Sequence, residues 1–235
     1  MSDYGFRTEG QFATGAASGT RSQEAILATN KVLKNTYLLL SMTLLFSAAT
    51  ATVGMMVVLP PMMYWVLFAV SFGLLFWVHA AANSPMGIVA VFAFTGLMGF
   101  ILGPMLNYYL TALENGPLIV MQALGGTGLI FLTLSGYVLT TRKDFSFMRG
   151  FLLTGLIVII VAMIANIFMQ MPALSLAISA AAVMIFSGLI LFDTSRIIHG
   201  GETNYIRATV SLYLDIYNLF IHLLHLLAVL SGSRD

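Results

Sequence analysis

Asp193 and Asp215 are the residues of this chain whose types and setting could do chemistry, because each interrupts or borders a stretch that is otherwise almost wholly apolar. Asp215 lies well inside such a stretch, and an ionisable group at membrane depth is costly enough to be a functional-site candidate by default. Asp193 stands near the end of the stretch before it. Two acids at contact distance cannot both ionise cheaply. A pair sharing one proton would form a pH-dependent latch, closed by a hydrogen bond in acid and repelling or cation-binding in base. Plainer readings stand beside this one. Asp193 can pair with Arg196 at i+3 or cap a helix end, and Asp215 can make a purely structural hydrogen bond.

Asp215 belongs to a longer pattern. Ser211, Asp215, Asn218, His222 and His225 fall within an arc of roughly 80° on a helix. Leu212, Leu214, Ile216, Leu219, Leu223, Leu226 and Leu227 fill the rest of the circumference. The polar stripe should face the interior of a helix bundle. A rise of 1.5 Å per residue puts Asp215 about 10 Å in from residue 208 and His225 near the opposite face. His222 and His225 read most simply as satisfied interior histidines, and Asn166 and Gln170 as interhelical hydrogen-bond donors.

The elements that must position these residues follow from composition. Of the 235 residues, 59% are hydrophobic and 8% charged, against about 25% charged in a soluble domain. There is no cysteine, which excludes disulfides, thiolate metal sites and cysteine nucleophiles. A bilayer core takes about 20 apolar residues per helix, and seven stretches qualify: 35–59, 62–82, 86–109, 117–141, 150–170, 173–197 and 208–230. Pro60-Pro61, Asn83-Ser84-Pro85, Glu114-Asn115-Gly116, Arg142-Lys143-Asp144, Met171-Pro172 and His199-Gly200-Gly201 punctuate them. The expected fold is an all-α bundle of seven transmembrane helices, residues 31–235, preceded by a disordered tail over residues 1–30. The first and fifth boundaries are so tight that the helices they join should be antiparallel neighbours. The sixth and seventh helices should also lie side by side, which brings Asp193 and Asp215 to comparable depths.

Lys and Arg set the orientation. With the N-terminus in the cytoplasm, Arg7, Arg21, Lys31, Lys34, Arg142, Lys143, Arg149, Arg196 and Arg207 are inside and only Arg234 is outside. The tail is then cytoplasmic and the C-terminus external. In the third span Gly99 and Gly103 share a face with Thr95, and Gly125, Gly126 and Gly128 cluster in the fourth; close helix packing is the simplest use of both groups. Pro104 should kink the third helix, with Asn107 placed to satisfy a freed carbonyl.

Several membrane chemistries do not fit. No span contains Lys, so a retinal Schiff base is excluded. A rhomboid-type serine protease needs Gly two residues before Ser-Gly, and neither Ser135-Gly136 nor Ser187-Gly188 has it. A presenilin-type protease needs Gly before its second acid, where Phe192 and Leu214 stand. A zinc hydrolase needs about three histidines and an open ligand position. His79, His222 and His225 are available, but no HEXXH-type motif accompanies them. No cofactor or metal and no nucleic-acid partner is expected.

Leu191-Phe192-Asp193-Thr194 and Leu212-Tyr213-Leu214-Asp215 resemble the signature of the Bax inhibitor-1 family. Residues 31–37, 93–103, 140–147, 165–180 and 197–213 are similar to a bacterial branch of it. The resemblance implies a six- or seven-helix membrane protein with its aspartate pair at Asp193 and Asp215. It carries two expectations of function. One is a non-enzymatic protein of the bacterial inner membrane that binds and modulates a membrane AAA protease of the FtsH type, with the tail as the handle the protease grips. The other is a pH-gated cation leak, for calcium or protons, using Asp193, Asp215, Ser211, Asn218, His222, His225 and His79. Two positions depart from the calcium-leak pattern: the second span has His79 but no Lys or Arg, and Ser211 replaces a further acid upstream in the seventh helix.

Overall fold

The computed structural model describes residues 9–232, with side chains from residue 27 onward. Of the expected disordered tail, residues 9–30 are instead the helical start of α1, and residues 1–8 lie outside the described residues. The described residues form helices only: α1 (Glu9–Met56), α2 (Pro61–Ala81), α3 (Met86–Ala112), α4 (Gly116–Thr141), a 3₁₀ turn (Ser146–Met148), α5 (Arg149–Met169), α6 (Pro172–Ile198) and α7 (Tyr205–Gly232). Among the described residues seven segments are long and apolar enough to span a membrane, beginning with Leu27–Met56 within α1. They coincide with the seven spans expected from hydropathy.

The punctuation residues act as their chemistry dictates. Proline occupies the first turn of α2, α4 and α6, where its missing N–H would have had no helical partner anyway. Asn204 caps α7, its Oδ1 accepting the N–H groups of Ile206 (2.9 Å) and Arg207 (3.2 Å). Its Nδ2 donates to Ala82 O and Asn83 Oδ1. The α2–α3 and α6–α7 loops therefore share one end of the bundle. Ser195 Oγ accepts the Phe145 N–H at 3.0 Å, and His199 Nε2 bonds Arg142 O at 3.1 Å, which brings the α4–α5 loop to that same end. Arg142 and Gln170 end α4 and α5 in the left-handed region, at φ 52° and 49°.

Helix order in space departs from sequence in two places, since α4 packs on α6 and α7 rather than on α5, and α1 does not meet α2. The tight first boundary does not make α1 and α2 neighbours: α1 packs on α3, and α2 packs on the other side of α3. The α1–α3 contact is built on glycine. Gly54, Gly96, Gly99 and Gly103 bring the two helices so close that a Cβ would strike Phe100 O at Gly54, Phe46 at Gly96, Ser47 at Gly99 and the Gly54 backbone at Gly103. The Phe100 carbonyl is the one that Pro104 deprives of its helical N–H, and it faces the Gly54 Cα instead. The fifth and sixth helices are neighbours as expected, and so are α6 and α7.

The glycines of α4 behave differently. Gly126 meets Leu223, but Gly125 and Gly128 face open space, so close packing is not their use. Asn166 also corrects expectation: its Oδ1 accepts the Met171 N–H at 3.1 Å and its carbonyl accepts that of Gln170. Both hold the local α5–α6 turn rather than a distant helix.

Three apolar clusters make the core, one around Leu40, Phe94 and Tyr213, one around Leu152, Ile190 and Leu219, and one around Ala123, Leu224 and Phe220. Residues of α7 enter all three, so α7 is the central helix. α2 and α5 are the least buried. They present Trp65, Phe76, Phe151 and Phe168 outward, a liability in water but the required surface in hydrocarbon.

Candidate acidic site in the bundle

The polar stripe of α7 turns inward, and α6 lies along it. Asp215 is 5% exposed, and its Oδ2 accepts no hydrogen bond from a nitrogen or hydroxyl donor. The group facing it is Asp193, close enough that the two carboxyls act on each other electrostatically. Asp193 also takes Arg196 Nη1 at 3.1 Å, so the i+3 ion pair and the acid pair coexist. Arg196 and Arg207 are joined through Glu202, at 3.6 and 3.1 Å. A string of alternating charge thus runs from the helix ends to the buried acid. One proton or one cation between the carboxyls would relieve their repulsion.

Above the acids the stripe continues. Asn218 Nδ2 donates to Leu214 O at 2.8 Å. His222 Nδ1 lies 3.4 Å from Ser179 Oγ, and its ring stacks on Phe186 at 6.2 Å. His225 bonds Ser175 at 3.0 Å and lies 3.4 Å from Tyr109 Oη. Asp193, Ser211, Asp215, Asn218 and His222 line one cavity of about 550 Å³. His225 and His79 do not line it. His79 is exposed on α2 and bonds only back to Leu75 O of its own helix, at 2.8 Å. Among the described residues no cluster of three or more His, Asp or Glu is arranged to hold a metal.

Three supports were not read from sequence. Tyr213 is fully buried, with its Oη 2.7 Å from Ser47 Oγ and donating to Thr95 O at 3.2 Å. Tyr217 Oη donates to Met98 O at 3.2 Å. Ser135 Oγ lies 2.6 Å from Tyr37 Oη and 3.0 Å from Thr194 Oγ1, tying α1, α4 and α6 together next to Asp193. The alternation of Tyr213 with Asp215 was visible in the sequence. The partners on α1 and α3 were not, because they lie more than a hundred residues away.

Outside the spans, the Ser146 N–H and hydroxyl hold the Asp144 carboxyl below the usual carboxylate range. This cap fastens the 3₁₀ turn beside Ser195.

Residues 29–232 match the family model described as "Inhibitor of apoptosis-promoting Bax1". The "Modulator of FtsH protease YccA" of Escherichia coli K12 is 54% identical over 218 residues, covering 93% of this chain and 98% of that one. An equally similar chain of another E. coli strain is named "Inner membrane protein YccA". An uncharacterised membrane protein of Vibrio cholerae is 54% identical over 91% of this chain and 96% of its own length.

Proposed function

The chain belongs to the family of inhibitors of apoptosis-promoting Bax1, and we propose that it is a non-enzymatic, multi-pass protein of the bacterial inner membrane that binds and modulates an FtsH-type AAA protease. The observation that carries this reading is the 54% identity, over nearly the full length of both chains, with the E. coli protein named for that modulation. In this reading residues 1–30, of which 9–30 are the start of α1, lie on the cytoplasmic side and the C-terminus lies outside, because Arg142, Lys143 and Arg207 lie at one end of the bundle. The tail is the part an ATP-driven protease can grip, while the tightly packed bundle resists extraction. Cross-linked co-purification from native membranes should recover the protease; its absence from the captured partners overturns the reading. Deleting residues 1–21 should abolish the effect on turnover of a membrane substrate in a reconstituted protease assay. Unchanged modulation by the truncated chain removes the tail from the mechanism.

The facing carboxyls of Asp193 and Asp215 favour a second, compatible reading, a pH-gated cation leak. Proteoliposomes should then pass calcium or protons at a rate that changes with pH, and Asp215→Asn should erase that change. Vesicles equally tight at mildly acidic and mildly basic pH exclude it.

A further inference from the structure

The cavity above Asp215 has an unusual wall. It is bounded on one side by Phe68, Phe72 and Leu75 of α2 and on the other by Ile160 and Met163 of α5, yet α2 and α5 do not touch. Phe68, Phe72, Ile160 and Met163 are each more than 40% exposed. The space between these two helices therefore opens sideways, toward the hydrocarbon of the bilayer, rather than only along the bundle axis. Its volume of about 550 Å³ is within the range of small-molecule sites, roughly 300–1,000 Å³.

The deep end is chemically one-sided. It holds Asp193, Ser211, Asp215 and Asn218, and neither Lys nor Arg lines it. Of the two acids, Arg196 engages only Asp193, from the helix end, and it also pairs with Glu202. Asp215 Oδ2 is buried and lacks a donor. A buried acceptor without a donor is a standing demand for one, and an ammonium has three donors and no acceptor.

From this arrangement we propose that the chain binds a single-chain cationic amphiphile. The ligand enters from the membrane between α2 and α5, places an ammonium head between Asp215 and Asp193, and lays its alkyl tail along Phe68, Phe72 and Met163. The head satisfies Asp215 Oδ2 and removes the repulsion between the carboxyls; the tail fills space that no helix covers. Neutral and anionic amphiphiles of the same length match the walls but not the floor. The site is independent of the protease reading, and it needs no ion flux.

The test is equilibrium binding of radiolabelled dodecylammonium to the full chain in nanodiscs, corrected by empty nanodiscs, with dodecanol and dodecanoate as competitors. The expected result is saturable binding of one molecule per chain, with dodecanol and dodecanoate competing at least about tenfold more weakly, as the loss of a charge-assisted hydrogen bond implies. Asp215→Asn should weaken dodecylammonium binding about tenfold or more and leave dodecanol unchanged. Leu75→Trp, which fills the cavity from α2, should abolish binding of both. Equal competition by the three amphiphiles overturns the proposal, because it describes a groove for lipid tails only. Undiminished binding to Asp215→Asn overturns it as well. Should that variant not fold, Leu75→Trp decides alone: retained selective binding with the cavity filled overturns the site.

Discussion

Tyr213 Oη, held between Ser47 Oγ and the Thr95 carbonyl, shows how one residue joins three helices. Removing the hydroxyl leaves two buried polar groups without their partner and no water to replace it. Tyr213→Phe should lower the unfolding free energy in mixed micelles by about 1 kcal/mol, in the upper part of the range for hydrogen bonds between membrane helices. Ser47→Ala added to it should cost little more, since the two side chains share one interaction; full additivity would show that the pair is not coupled. Asp144 gives a residue-level pH dependence. Its carboxyl is held below the usual range by Ser146, so its support of the 3₁₀ turn is present above the unfolded-state pKa and is lost as pH falls through the lower folded value. The protection factor of the Ser146 amide should fall over that acidic interval in the native chain and be low at all pH values in Asp144→Ala.

At the scale of elements, two glycines of the same chain have opposite settings. Gly103 of α3 presses on the α1 backbone at Gly54, which cannot move aside as a side chain would, whereas Gly128 of α4 faces open space. Gly103→Ala should destabilise the bundle by about 1–3 kcal/mol through overpacking. Gly128→Ala should be neutral or stabilising, by up to roughly 1 kcal/mol from helix propensity alone. Denaturation midpoints of the two variants measured side by side check both, and equal effects would mean that the α1–α3 contact is not glycine-limited. The same contact explains why α1 bypasses α2. Three glycines of α3, facing Gly54 of α1, and the Phe100 carbonyl beside Pro104 make α3 a better surface for α1 than α2, which offers Trp65, Phe68, Phe72 and Phe76 toward the membrane.

At the scale of the molecule, orientation is the property that every functional reading depends on. The chain has no cysteine, so single cysteines report cleanly. Lys143→Cys should react with a membrane-impermeant maleimide only after permeabilisation, and Asn115→Cys should react in intact spheroplasts; the reverse pattern inverts the bundle. The sequence by itself determined the seven spans, the turns between them and the two helices that carry the acids. A bilayer demands about 20 apolar residues and internal satisfaction of every backbone group, and both demands are written locally. It did not determine which helix touches which. Lipid tails and protein interiors are equally apolar, so hydropathy cannot separate a packed face from a lipid-facing one. Gly103 and Gly128 look alike in sequence, as do His222 and His79. The approach of Asp193 to Asp215, the inward Tyr213 and the gap between α2 and α5 were decided by tertiary structure, because each depends on shapes brought together from residues far apart along the chain.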